Sequence, residues 1–125
     1  MANIVLAEDD TAMLKFLEGA LEKAGHTVMA CTNGQDAYDV LKSTPNVDLL
    51  LTDIVMPGMD GLELSQRALK MHPALKVLFT TGFAAIALGD KQRLNAAKPD
   101  PNKVISKPFH LKDLVDQVEK ILASE

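Results

Sequence analysis

The apolar residues of this chain fall into two alternating patterns. Short runs, several of them rich in β-branched residues, occur at Ile4–Ala7, Thr27–Cys31, Val47–Thr52, Val77–Thr80 and Lys103–Ser106. Each has the length and composition of a strand buried on both faces. Between these runs the apolar positions recur with helical spacing. Leu14, Leu17, Leu21 and Ala24 form one stripe, which Gly25 brings to an end. Leu111, Leu114, Val115, Val118, Ile121 and Leu122 form another near the end of the chain. Asp60 is placed to cap a helix that begins near Leu62, and Pro73 stops that helix after His72. Asn33-Gly34 makes a turn ahead of a further helix. A helix is also predicted over 84–97, interrupted at Gly89-Asp90 and followed by a loop at Lys98-Pro99-Asp100-Pro101-Asn102. Regular alternation of strand and helix predicts an α/β fold, a parallel sheet with helices on both sides.

Composition narrows the class. The 125 residues suit a single domain, 1–125, with no output domain beside it. An apolar content of 47% builds a core that needs neither disulfides nor a structural metal. The net charge of −4, with both signs scattered, excludes a nucleic-acid surface, which requires a clustered basic stripe. The single cysteine, Cys31, follows Val28, Met29 and Ala30 and reads as a buried thiol. The first residues lack a basic region, and their apolar run is too short for a signal peptide. No stretch approaches the roughly 18 apolar residues of a membrane span. The expected location is therefore the cytoplasm, with no membrane contact.

The chemistry is expected where the strands end, because ligands of an open parallel α/β sheet gather beyond its carboxyl edge. The first predicted strand runs into Glu8-Asp9-Asp10, and the third ends at Asp53. The fourth ends at Thr80-Thr81-Gly82 and the fifth at Lys107-Pro108. If those four strands are neighbours, carboxylates, a hydroxyl and an ammonium share one small pocket. Clustered carboxylates repel one another, and either take up protons or bind a cation. Oxygen ligands from two or three acids suit Mg²⁺. A carboxylate beside Mg²⁺ can attack phosphorus and become an aspartyl phosphate. Lys107, Thr81 and the metal would then answer the charge on the phosphoryl oxygens. Taken singly, each residue has an ordinary explanation. Glu8-Asp9-Asp10 is a helix-start cluster, Asp53 a turn former, Thr81 a strand-end residue and Lys107 a solvated cation. Their joint occurrence at four strand ends is what those explanations leave out.

Three stretches carry a family resemblance. They are Ile4-Val5-Leu6-Ala7-Glu8-Asp9-Asp10, the run Asp48-Leu49-Leu50-Leu51-Thr52-Asp53-Ile54-Val55-Met56-Pro57-Gly58-Met59-Asp60-Gly61, and Ser106-Lys107-Pro108-Phe109. Together they resemble the response-regulator receiver domains of two-component signalling, along nearly the whole chain. The resemblance implies a flavodoxin-like (βα)5 doubly wound sheet in the order 2-1-3-4-5. It implies that Asp53 is the phosphoacceptor, that Asp9 binds Mg²⁺ directly, and that Glu8 does so largely through water. The backbone carbonyl of Val55 and Asp53 itself complete the implied metal shell. Thr81 becomes the switch hydroxyl and Lys107 the ion-pair partner of the phosphoryl group. The Lys107-Pro108 bond is expected to be cis, and Gly58 and Gly61 to let the loop after Asp53 pass close to the site. The implied phosphodonor is a histidine kinase or a histidine phosphotransfer protein. Such a domain is a switch rather than an enzyme. Its own phosphatase activity is expected to be slow, since Val55 replaces a polar residue that assists dephosphorylation.

Three features depart from the usual receiver pattern. Val104 stands where an aromatic switch residue is common, Asn95-Ala96-Ala97-Lys98-Pro99-Asp100-Pro101 replaces a Gly-Ala turn, and the stretch from Thr81 to Lys107 is longer than usual. These features, with Thr81-Gly82-Phe83-Ala84-Ala85 and Val104-Ile105-Ser106-Lys107-Pro108-Phe109-His110-Leu111, are similar to the CpdR-type single-domain receivers. That similarity implies a role in bacterial cell-cycle control, priming the ClpXP protease chiefly when unphosphorylated, with the ClpX unfoldase as effector. Phe83, Ile86 and Leu88 would either anchor such a partner or pack their helix onto the sheet. The expected state is a monomer or weak dimer. Two other readings stay open: a phosphorylation-independent pseudo-receiver, and a small Mg²⁺-dependent phosphohydrolase. The second needs an acid or base, and of His26, His72 and His110 only His110 lies near the fifth strand, where it can also serve as a helix cap. A flavin site is disfavoured by the acidic first loop.

Overall fold

A computed structural model describes residues 2–82 and 104–124. Over these residues the chain forms β1 (Asn3–Ala7), α1 (Thr11–Lys23), β2 (Thr27–Cys31), α2 (Gly34–Ser43), β3 (Leu49–Asp53), α3 (Gly61–Met71), β4 (Lys76–Thr81), β5 (Val104–Ser106) and α4 (Leu111–Ala123). The helix expected over 84–97, the loop behind it, and Phe83, Ile86, Leu88 and Lys103 lie outside the described residues.

The strands form one parallel sheet in the order β2-β1-β3-β4-β5, as the family resemblance implied. Its register pairs Ala7 with Thr52, Asp53 with Thr80 and Thr81 with Ser106. The carboxyl ends of the central strands are therefore level, and the segments leaving them emerge at one edge.

Alternation along the strands divides the core into two layers. Val5, Ala7 and Leu50 face α2 and α3, meeting Ala37, Leu41, Leu62, Leu64 and Ala68. Ile4, Leu6, Leu49 and Leu51 face α1 and α4, meeting Leu14, Leu17, Leu21, Leu114, Val118 and Ile121. Each fully buried leucine contributes on the order of 1.5–3 kcal/mol. Burial on both faces holds for β1, β3 and β4. It fails for β2, where Thr27 and Ala30 are exposed, and for β5, where Ser106 is exposed. These two are the edges of the described sheet, with one neighbour each, so the expectation of uniformly buried strands is corrected there.

Local chemistry sets the helix ends. Asp10 accepts the amides of Ala12 and Met13, Asn33 that of Asp36, and Asp60 that of Glu63. Each such cap is worth about 1 kcal/mol. Gly25 lies just beyond α1 with φ of 102°, a left-handed position suited to glycine. Gly34 opens α2 instead of preceding it. A Cβ there would lie 2.3 Å from the Met59 carbonyl oxygen, so only glycine lets α2 start against the loop before α3. His110 occupies the first position before α4 but makes no side-chain capping bond. Cys31 is buried, as expected, and burial, with the charge of Asp36 adding to it, pushes its thiol up to about 11.

Candidate functional site

The acids, the hydroxyl and the lysine converge at the carboxyl edge of the sheet. Asp53 ends β3, and Glu8 follows β1 with only 1% of its surface exposed. Lys107, just past β5, places its Nζ 2.8 Å from Glu8 Oε1 and 3.0 Å from Asp53 Oδ2. Its backbone N–H donates to the Thr81 carbonyl at 2.7 Å, which ties the exit from β5 to the end of β4. The Lys107-Pro108 bond is cis. The other Glu8 oxygen, Oε2, accepts the Asp10 N–H at 3.2 Å, so the residue that caps α1 also orients Glu8.

The loop after Asp53 is held from both sides. The Ile54 N–H donates to the Thr80 carbonyl at 3.0 Å, and Gly61 N–H to the Ile54 carbonyl at 2.9 Å. A Cβ on Gly61 would fall 2.1 Å from the Asp53 carbonyl oxygen, so α3 approaches this strand end only through a glycine. Gly58 takes φ of 75°, a left-handed conformation that other residues rarely adopt. Val55 lies in this loop with its side chain exposed.

The electrostatics match the crowding. Burial raises the Glu8 carboxyl above its ordinary value, and the charge of Asp53 adds to that. The hydrogen bonds from Lys107 and the Asp10 N–H pull the other way without cancelling it. Burial alone would lower Lys107, but the bonds and charges of Glu8 and Asp53 outweigh it and raise the ammonium above the usual lysine value. Lys107 is therefore a cation held between the Glu8 and Asp53 carboxyl groups.

Glu8, Asp9 and Asp53 each offer one carboxylate oxygen, and these atoms lie within 4.8 Å of one another. Hard oxygen donors at that spacing fit a small divalent cation such as Mg²⁺. Beside them the Thr81 hydroxyl is buried and has no hydrogen-bond partner among the described residues. A buried hydroxyl left without a partner costs about 1–3 kcal/mol. The resemblance assigned Glu8 to the metal and Lys107 to the phosphoryl group within one pocket. Their direct pairing, across 99 positions, had no sequence signal. The clearances at Gly34 and Gly61 were equally invisible, since both depend on which backbone passes by.

The response regulator receiver domain model matches residues 4–119. The chain belongs to the response regulator receiver family. The response regulator receiver protein CpdR of Brucella abortus (strain 2308) is 53% identical over 122 residues, 98% of each chain. The sensor kinase CckA of the same organism is 31% identical over 125 residues, which is 99% of this chain but only 13% of the kinase. Among solved structures, a response regulator receiver protein from Sinorhizobium medicae WSM419 superimposes with a TM-score of 0.85 at 27% identity, over 98% of this chain and 95% of that one. The flavodoxin-like receiver fold and the two-component class are thereby established. No helix among the described residues is long and apolar enough to cross a membrane.

Proposed function

We propose that this receiver is a phosphorelay switch whose phosphoacceptor is Asp53. The observation that carries the reading is Lys107 bridging Glu8 and Asp53 beside the unpartnered, buried Thr81 hydroxyl. An Asp53 carboxylate oxygen attacks the phosphorus of a phosphohistidine on a histidine kinase or phosphotransfer protein. The new O–P bond forms as the P–N bond breaks, and the leaving imidazole takes up a proton from solvent. Asp9, Asp53 and the Val55 carbonyl would hold Mg²⁺, with Glu8 acting largely through water, and the metal would neutralise charge on the transferring oxygens. Lys107 turns from the carboxylates toward the phosphoryl group, and Thr81 donates its hydroxyl to a phosphoryl oxygen. That movement pulls on the ends of β4 and β5 and alters the surface beside them.

A groove of about 620 Å³ lies between α1 and α4, lined by Phe16, Gly19, Ala20, Leu111 and Val115. Phe16 is 64% exposed, and Lys15, Lys23 and Lys112 also line the groove. The helical stripe in the sequence marked only the buried side of α1 and so passed over Phe16.

The similarity to CpdR supports a finer role: priming ClpXP in cell-cycle control, with binding to ClpX or its substrates favoured in the unphosphorylated form. Incubation with Mg²⁺ and acetyl phosphate, followed by intact mass measurement, tests the chemistry. Wild type gains one base-labile phosphoryl group and Asp53→Ala gains none. No adduct in wild type that binds Mg²⁺ would favour a phosphorylation-independent module. Steady release of phosphate at many turnovers would favour a phosphohydrolase. Capture of purified ClpX by each form tests the effector.

A further inference from the structure

Gly34 is a glycine whose own backbone has no need of one. Gly25 and Gly58 take left-handed φ values, but Gly34 does not. It is the first residue of α2, where alanine would be the better helix former. What excludes alanine is space. A Cβ on Gly34 would fall 2.3 Å from the Met59 carbonyl oxygen and 3.1 Å from the Met59 carbonyl carbon. Met59 belongs to the loop that runs from Asp53 to α3.

The two ends of that loop are tied by the bonds from Ile54 to Thr80 and from Gly61 to Ile54. Between them Val55, Pro57 and Gly58 are exposed, and Met56 is anchored by a buried but flexible side chain. Midway, backbone meets backbone at Met59 and Gly34. The helix on the other side of that contact is braced. Gly34, Ala37 and Leu41 are buried, and Ala37 and Leu41 share a cluster with Leu62, Leu64 and Ala68 of α3. Lys42 Nζ stands 5.3 Å from the centre of the Tyr38 ring and the Arg67 guanidinium carbon 5.4 Å from it, a cation–π link from α2 to α3. Asn33 Oδ1 accepts the Asp36 N–H at 2.7 Å and so holds the first turn of α2 in shape.

We propose that the first turn of α2 is a backstop for the loop after Asp53, with Gly34 as a positioning residue for the Val55 carbonyl. Gly34 offers a metal ion nothing itself. It acts through the Met59 carbonyl, whose distance from α2 fixes how far the loop stands from the sheet edge. Interiors are close-packed, so a methyl group inserted at this contact displaces the loop rather than being absorbed. The proposal rests on the switch reading for the identity of the metal ligands.

Two measurements on Gly34→Ala test this: hydrogen exchange over 54–61 without metal, and Mg²⁺ affinity by calorimetry. Exchange over 54–61 should quicken about tenfold and Mg²⁺ affinity should fall roughly tenfold. Gly19→Ala makes the same change inside α1, where the new Cβ meets nothing within 4 Å, and should leave both unchanged. Val118→Ala loosens the apolar layer on the other face of the sheet, so it should lower stability and move neither readout. Should Gly34→Ala fail to fold, Asn33→Ala removes the cap without adding volume and should shift both readouts the same way, by about two- to threefold. Unchanged exchange over 54–61, an unchanged Mg²⁺ affinity, or equal shifts in Val118→Ala would overturn the backstop. Wild type that binds no Mg²⁺ would sink the switch reading instead, and the exchange comparison alone would then decide the role of Gly34.

Discussion

The two ends of the sheet treat polar groups differently. At the carboxyl end, Glu8 and Asp53 share one ammonium, and Thr81 keeps a buried hydroxyl with no partner among the described residues. At the amino end, His26, Asp48 and Lys76 each meet a definite partner in the backbone or on a neighbouring helix. The same strands supply both ends, so the contrast does not come from the core between them. An end that holds like charges close together and leaves a hydroxyl unmet is less stable without a ligand than with one. An end whose polar groups are satisfied contributes stability and has little to gain from binding.

Four substitutions test that contrast. The largest effect is expected at Gly61→Ala, where the added Cβ meets the Asp53 carbonyl at 2.1 Å. Urea unfolding should show a loss of roughly 3 kcal/mol or more, since backbone stands on both sides and neither can yield. A normal midpoint would mean that the loop after Asp53 is not held as described.

Lys107→Met comes next, with a loss of about 2 kcal/mol near neutral pH, below the range for a fully buried pair. The discount reflects the lysine side chain being 24% exposed. The pH dependence has a definite sign. Burial holds the Glu8 carboxyl above its ordinary value, so its protonated form stabilises the fold below the ordinary carboxylate range. That stabilisation is lost as pH rises through the raised value. Removing the ammonium raises that value further. The deficit of the variant should therefore grow as pH rises above the ordinary carboxylate range, and Mg²⁺ should reduce it. A deficit that shrinks with rising pH would contradict the pairing.

Thr81→Val should act in the opposite direction. Replacing the orphaned hydroxyl with a methyl of similar shape stabilises the unphosphorylated protein by about 1 kcal/mol, while the variant loses its phosphorylation-dependent change in partner binding. Destabilisation by the same amount would show that the hydroxyl has a partner after all. The smallest effect belongs to the amino end. Glu119→Gln should cost less than about 1 kcal/mol at neutral pH, because the pair is half exposed and glutamine can still accept from His26.

Much of the fold was legible in residue order because burial imposes a period. The unbroken apolar runs in Ile4–Ala7 and Leu49–Leu51 specify strands sealed by helices, and Asp60 and Gly25 mark helix ends through chemistry that acts over a few residues. The same rule misread β2, since a strand's own residues do not say whether it lies inside the sheet or at its edge.

The candidate site divides in the same way. Which residue types would gather at the carboxyl edge followed from the sequence alone, because the end of each strand is fixed by where its apolar run stops. Their order across the sheet came from family resemblance and was borne out by the parallel register. What only the tertiary structure decided were the contacts between parts of the chain far apart: Lys107 on Glu8 as well as Asp53, Gly61 against the Asp53 carbonyl, and His26 between Ala2 and Glu119. Local patterns report which face of an element avoids water. Hydrogen-bond partners are set by distances of a few tenths of an ångström between elements, and those distances exist only once the layers have packed.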